Sequence, residues 1–149
     1  MPVFECRTEV DVSPEELFDF ITRVSNIKAI TPPNVDMVIV EAPDVLSEGA
    51  KLIFKVRAFG VAQQLEHEIV EFDRPKSFRE KMLKGPLPAW MHDYIVEPHG
   101  DGLAALTNRI EFEPPGGMLG MLLTADRILS HLEESYAERS AALKKALQK

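Results

Sequence analysis

Three residues able to do acid–base or hydrogen-bond chemistry fall in neighbouring segments of alternating apolar and polar sequence: Glu80, His92 and Asn108. The segments are 77–84, 89–97 and 103–113. They are separated by the turn sequences Gly85-Pro86-Leu87-Pro88 and His99-Gly100-Asp101-Gly102, which favour hairpins. Pairing around those turns sets Glu80 opposite His92, Met82 opposite Trp90, and His92 opposite Asn108. The same parity puts Phe78, Trp90, Tyr94, Val96, Leu106, Ile110 and Phe112 on that face. Its apolar and aromatic make-up marks it as the inner face, so the three polar residues form a row inside an apolar space. Such a row has two readings. One is a structural hydrogen-bond network, since buried polar groups are normally paired. The other is a functional row that orients a ligand oxygen or moves a proton, a carboxylate fixing the tautomer of an imidazole beside it.

No nucleophile accompanies the row. The sequence has no Gly-x-Ser-x-Gly, no His-Glu-x-x-His and no phosphate-cradling glycine loop, which leaves the enzyme case weak. His67 is predicted inward with Leu65 and Ile69, as a satisfied or rim histidine. His99 sits in a glycine-rich turn, and His131 is expected on the polar side of a helix. Scattered histidines at no ligand spacing argue against a metal site, and no cofactor is expected. The single Cys6 is expected as a buried small hydrophobe. Tyr136 either points its hydroxyl inward or packs as an aromatic with a wet tip. Met37, Met82, Met91, Met118 and Met121 suit either core filling or a pocket of varied shape.

The elements that must hold these residues follow from periodicity. Residues 3–12 alternate, with Phe4, Cys6, Thr8, Val10 and Val12 on one face, and read as a half-buried strand. Ser13-Pro14-Glu15-Glu16 is a helix start with Ser13 as N-cap and Pro14 in the first turn; the helix ends near Thr22. A second short helix, from Ser25 to about Ile30, is stopped by Pro32-Pro33. Strand patterns follow at about 35–42, 50–58, 61–72, 77–84, 89–97 and 103–113, with further turns at Ser47-Glu48-Gly49, Phe59-Gly60 and Asp73-Arg74-Pro75. Pro114-Pro115-Gly116-Gly117 then breaks the chain. Beyond it, Met118, Met121, Leu122, Ala125, Ile128, Leu129, Leu132, Tyr136, Leu143 and Leu147 recur at helical spacings. They predict one long helix from about Met118 to Leu147, ~45 Å long, with Lys144, Lys145 and Lys149 at its cation-favouring end.

Length and composition bound the rest. The 149 residues make one domain, 45% of them hydrophobic and 28% charged, enough for a single core. With 17 basic against 24 acidic residues and a net charge of -7, a nucleic-acid partner is not expected. Neither a signal-peptide pattern nor a bilayer-length apolar run occurs, so the expected location is cytoplasmic. Excess apolar residues at 118–123 mark that end as a cavity mouth facing the second short helix and the Pro32-Pro33 loop, as a surface for transient membrane contact, or as simple packing against neighbouring loops or a dimer partner.

Six consecutive strands on short turns make an antiparallel meander, joined at one edge by the first strand. The whole pattern is an α+β chain in the order β-α-α-β-β-β-β-β-β-α. It resembles the START-like, SRPBCC helix-grip superfamily, which includes polyketide cyclase/dehydrase, lipid-transport and Bet v 1-like proteins. The resemblance covers nearly the whole chain. It is carried by Val12-Ser13-Pro14-Glu15-Glu16-Leu17-Phe18, Pro75-Lys76-Ser77-Phe78-Arg79, Lys84-Gly85-Pro86 with Trp90 and His92, and Leu106-Thr107-Asn108-Arg109-Ile110-Glu111-Phe112. It implies about seven strands wrapped around the C-terminal helix, with a hydrophobic or amphipathic ligand between them: a lipid, sterol, quinone-like or polyketide-like molecule. Phe54, His67, Phe78, Glu80, Met82, Trp90, His92, Tyr94, Asn108, Ile110, Met118, Leu122, Leu129 and Tyr136 are then the candidate ligand-binding residues. Glu80, His92 and Asn108 are the candidate catalytic ones. Three functions follow: a binding protein, a cyclase/dehydrase using the polar row without a metal, and a regulator acting by protein contact, either monomeric or homodimeric.

Overall fold

The structure, a computed structural model, describes residues 1–58 and 61–148. The turn expected at Phe59-Gly60, and Lys149, lie outside the described residues. Seven strands form one antiparallel sheet in the order β1-β7-β6-β5-β4-β3-β2. They are β1 Val3–Val10, β2 Val38–Glu41, β3 Lys51–Ala58, β4 Val61–Asp73, β5 Ser77–Lys84, β6 Ala89–Pro98 and β7 Ala104–Glu113. β1 joins the meander at β7, as the sequence pattern requires. Helices α1 Pro14–Ile21 and α2 Val24–Ile30 fill the connection from β1 to β2. The Ser13 hydroxyl caps α1 by accepting from the Glu16 N–H at 3.2 Å; such a cap contributes about 1 kcal/mol.

The C-terminal segment differs from expectation. It is two helices, α3 Gly117–Leu122 and α4 Ala125–Ala146, so the single helix from Met118 to Leu147 is not formed. The break has a local cause. Leu123 leaves helical geometry at ψ 72°, and Thr124 is extended, its hydroxyl accepting from the Arg127 N–H at 3.3 Å. A threonine followed by Ala125-Asp126-Arg127 is itself a helix start, which the unbroken apolar pattern masked. The 22 residues of α4 span ~33 Å. Within α3, position 120 accepts only glycine, since a Cβ there would stand 2.2 Å from the Pro115 carbonyl oxygen.

Two smaller departures have equally local reasons. β2 is shorter than 35–42 because Pro33–Val35 forms a 3-10 turn that ends in a left-handed Asp36, φ 53°. β1 stops at Val10, though Val12 stays buried.

The core falls into two clusters. The larger joins Val10, Leu17, Phe18, Ile21, Ile69, Phe78 and Leu143; the smaller joins Phe4, Ile110, Phe112, Ile128, Leu132 and Tyr136. Phe18 is fully buried and meets Phe72 and Phe78 edge-on at 5.3 and 5.8 Å, a burial that stabilises by about 2–3 kcal/mol. Cys6 is only partly buried, with its Sγ 3.3 Å from the Ser140 hydroxyl. It packs at the β1–α4 contact and not in the core interior.

Candidate functional site

The polar row forms inside the sheet, with one change of register. Glu80 pairs with His92 as expected. Between β6 and β7, however, His92 pairs with Ile110, and Asn108 with Tyr94. The hairpin loop is His99–Leu103, closed by a His99 N–H to Leu103 carbonyl bond of 2.8 Å, and this moves the register by two residues. A slip of two keeps every side chain on its face. Asn108 therefore stays inward, and its Oδ1 accepts diagonally from His92 Nε2–H at 2.8 Å. That bond leaves His92 Nδ1 as the acceptor of the neutral ring.

β4 brings a fourth member. His67 pairs with Met82, and register shifts on both sides of the 67–69 stretch aim it at Glu80. His67 Nδ1–H donates to Glu80 Oε2 in a short bond, while the Tyr94 hydroxyl donates to Glu80 Oε1 at 3.4 Å. His67 Nε2 is buried without a protein partner. Aromatic stacking holds the group in place. Phe78 lies on Tyr94 at 4.2 Å, Tyr94 on His92 at 3.8 Å, and Phe54 meets His67 edge-on at 4.9 Å.

The electrostatics follow from burial and charge. Burial alone would raise the Glu80 pKa. The charge and hydrogen bond of His67, with help from His92 and Arg139, outweigh it and hold the carboxyl at about 2. Burial lowers His92 to about 4, against the opposing pull of Glu80 and of its Asn108 bond. At neutral pH, Glu80 is therefore a carboxylate and His92 a neutral imidazole.

A cavity of about 370 Å³ lies between this face of the sheet, α2, α3 and α4. Of the candidate binding residues, Phe54, His67, Glu80, Met82, Trp90, His92, Tyr94, Leu122 and Tyr136 line it. Five do not. Phe78 is sealed beneath Tyr94 in the larger core cluster. Ile110 is fully buried in the smaller one, and Leu129 packs against that same cluster. Asn108 stands behind His92 and borders a separate void of about 20 Å³. Met118, 85% exposed, points away on the outside of α3. His131, expected on the polar side of its helix, instead lines the cavity. Leu119 and Leu122 line it while remaining exposed, so α3 forms part of the rim; Thr31 and Val35 line the cavity too.

The residue that sequence reasoning missed is Arg139. It lines the cavity, half-buried, with its guanidinium 4.7 Å above the Tyr136 ring and Nη1 donating to the Tyr136 hydroxyl at 3.3 Å. A signal was present. The stripe steps seven positions from Tyr136 to Leu143, and Arg139 fills the gap three after the first and four before the second. Among the described residues, no group of His, Cys, Asp and Glu side chains is placed to hold a metal ion. No helix among them is long and apolar enough to cross a membrane.

The sequence pattern of the family described as polyketide cyclase / dehydrase and lipid transport matches residues 1–148. The chain belongs to that family. Solved structures similar in fold include TTHA0849 from Thermus thermophilus, with a TM-score of 0.78 and 13% identity over 98% of this chain and 97% of that one. Ginseng major latex-like protein 151 from Panax ginseng gives 0.73 at 17% identity, covering 99% and 98%. Ara h 8.0201 gives 0.68 at 17%, covering 98% and 97%. The polyketide cyclase/dehydrase and lipid-transport chain thus shares the Bet v 1-like, helix-grip fold of these proteins. Among curated proteins, none matches the sequence significantly.

Proposed function

We propose that this protein binds a small hydrophobic or amphipathic molecule in the cavity between its sheet and α4. The observation that carries the reading is the cavity itself: about 370 Å³, walled mainly by Leu, Ile, Val, Met, Phe and Trp side chains with a minority of polar ones, within the range of ligand sites. The family matched by the sequence, which covers lipid transport, is consistent with it. Native mass spectrometry of freshly purified protein, followed by denaturing extraction, is the first test; a retained small molecule is expected. A neutral fluorescent probe, N-phenyl-1-naphthylamine, gives the second. Wild type should bind it, and Ser135→Trp, which fills the lining, should weaken binding about tenfold. Equal affinity in a folded Ser135→Trp protein would place the probe elsewhere and refute the cavity reading.

A cyclase/dehydrase reading draws on the Glu80–His67 couple beside His92, all on the cavity wall. The electrostatics weigh against it. General acids and bases work best with pKa values near the working pH, whereas Glu80 and His92 are held at about 2 and about 4. Neither has a proton to give at neutral pH, and both are weak bases. The enzyme reading requires that His92→Phe and Glu80→Gln each abolish turnover while substrate still binds. A regulator acting by protein contact needs no open interior, and the size of this cavity favours the ligand.

A further inference from the structure

The geometry points to an amphipathic anion as the ligand class, with its acid group held by Arg139 at the inner end of the cavity and its apolar part directed toward α3. This rests on the cavity reading above and adds the ligand's charge and orientation. The α4 residues on the cavity wall run from Arg127 and Ile128 through Leu132 and Tyr136 to Arg139, ~18 Å along the helix axis. The α3 rim lies at the Arg127 end, so Arg139 stands at the other. Beyond it, Leu143 and Leu147 close the space within the larger core cluster.

Arg139 has only neutral hydrogen-bond partners. Its guanidinium donates to the Tyr136 hydroxyl and bonds Tyr94 as well, and among the described residues no carboxylate forms a salt bridge with it. Glu80, the one buried carboxylate among them, already uses its two oxygens on His67 and Tyr94. Burial works against the cation, but Tyr136, Tyr94 and Glu80 together keep its pKa raised, and a guanidinium does not shed its proton in proteins. A half-buried guanidinium whose hydrogen-bond partners are neutral phenols, facing an apolar space, lacks a planar, bidentate anionic acceptor. A carboxylate on an apolar tail supplies one. At ~30 Å³ per water-sized group, the cavity holds about a dozen non-hydrogen atoms.

Decanoate and decanamide fit that size, have the same number of non-hydrogen atoms and differ in charge. Isothermal titration at pH 7.5 should show wild type binding decanoate about tenfold or more tighter than decanamide. Arg139→Gln should abolish that preference, and Arg139→Lys should keep part of it. Arg127→Gln, at the exposed end, should leave the preference intact. So should 0.5 M NaCl, which screens exposed charges far more than buried ones. Equal affinity of wild type for acid and amide overturns the anionic-ligand inference without any variant, as does a preference that survives Arg139→Gln. Binding of neither probe by folded wild type overturns the cavity reading itself.

Discussion

His92 should act as a measurable acid sensor of stability. It is buried, stacked on Tyr94 and bonded to Asn108, and burial holds its pKa at about 4, below the ordinary 6.5. As pH falls below 6.5 the unfolded chain takes up a proton that the folded chain refuses until about 4. Stability is therefore complete above that window and declines through it. Between pH 7.5 and pH 5 this single group should cost about 2 kcal/mol, at about 1.4 kcal/mol per pH unit once the unfolded histidine is charged. Urea denaturation of wild type and His92→Phe at pH 7.5, 6 and 5 isolates the effect. At pH 7.5 the variant will be weaker by about 1–3 kcal/mol, because Asn108 loses its partner, and this gap should shrink toward pH 5. Only the difference in pH dependence bears on the argument. His131 is also shifted down, mainly by burial, but it is common to both proteins and cancels. Wild type should lose about 2 kcal/mol more than the variant over this range. Parallel pH profiles would show that His92 does not resist protonation in the folded protein, and would refute the reasoning.

Three further outcomes are expected. Glu80→Gln should destabilise by about 3 kcal/mol at pH 7 by stripping the charge that His67 and Arg139 face. Because the depressed Glu80 pKa gives stability that is present above about 4.5 and lost as pH falls toward 2, the gap from wild type should close in acid circular-dichroism titrations; a constant gap would mean Glu80 is not ionised in the fold. Thr124→Ala should cost about 1 kcal/mol in thermal unfolding, and an unchanged Tm would deny Thr124 its role at the start of α4. Amides of α3, which has no buried residue, should exchange with solvent earlier than residues 128–140; uniform strong protection across both would contradict a loosely held rim.

The sheet was legible because its evidence is local and repeated. Alternation marks each strand, and turn chemistry marks each hairpin, so a register misjudged by two at β6–β7 still left Asn108 facing inward. The pairing of His67 with Glu80 was not legible. It depends on the two register shifts along β4 and β5, and a bulge leaves no trace in an alternating pattern. Arg139 was hidden for a different reason. A cation on a helix reads as solvated surface, and only the cavity beneath this one shows where its head group goes. The Leu123–Thr124 break was hidden by apolar residues that run unbroken past it. They continue there because a rim, as well as a core, is made of such residues.

The absence of core residues in α3 has a consequence for how such a protein can diverge. Substitutions in Met118, Met121 or Leu122, all largely exposed, remove little buried area, so they cost the fold little. The cavity floor is different. His67, Glu80, Tyr94 and His92 are locked by mutual bonds and stacks, and a change in any one leaves another unmatched. A lineage built on this chain is therefore free to change the rim of its cavity long before it can change the floor.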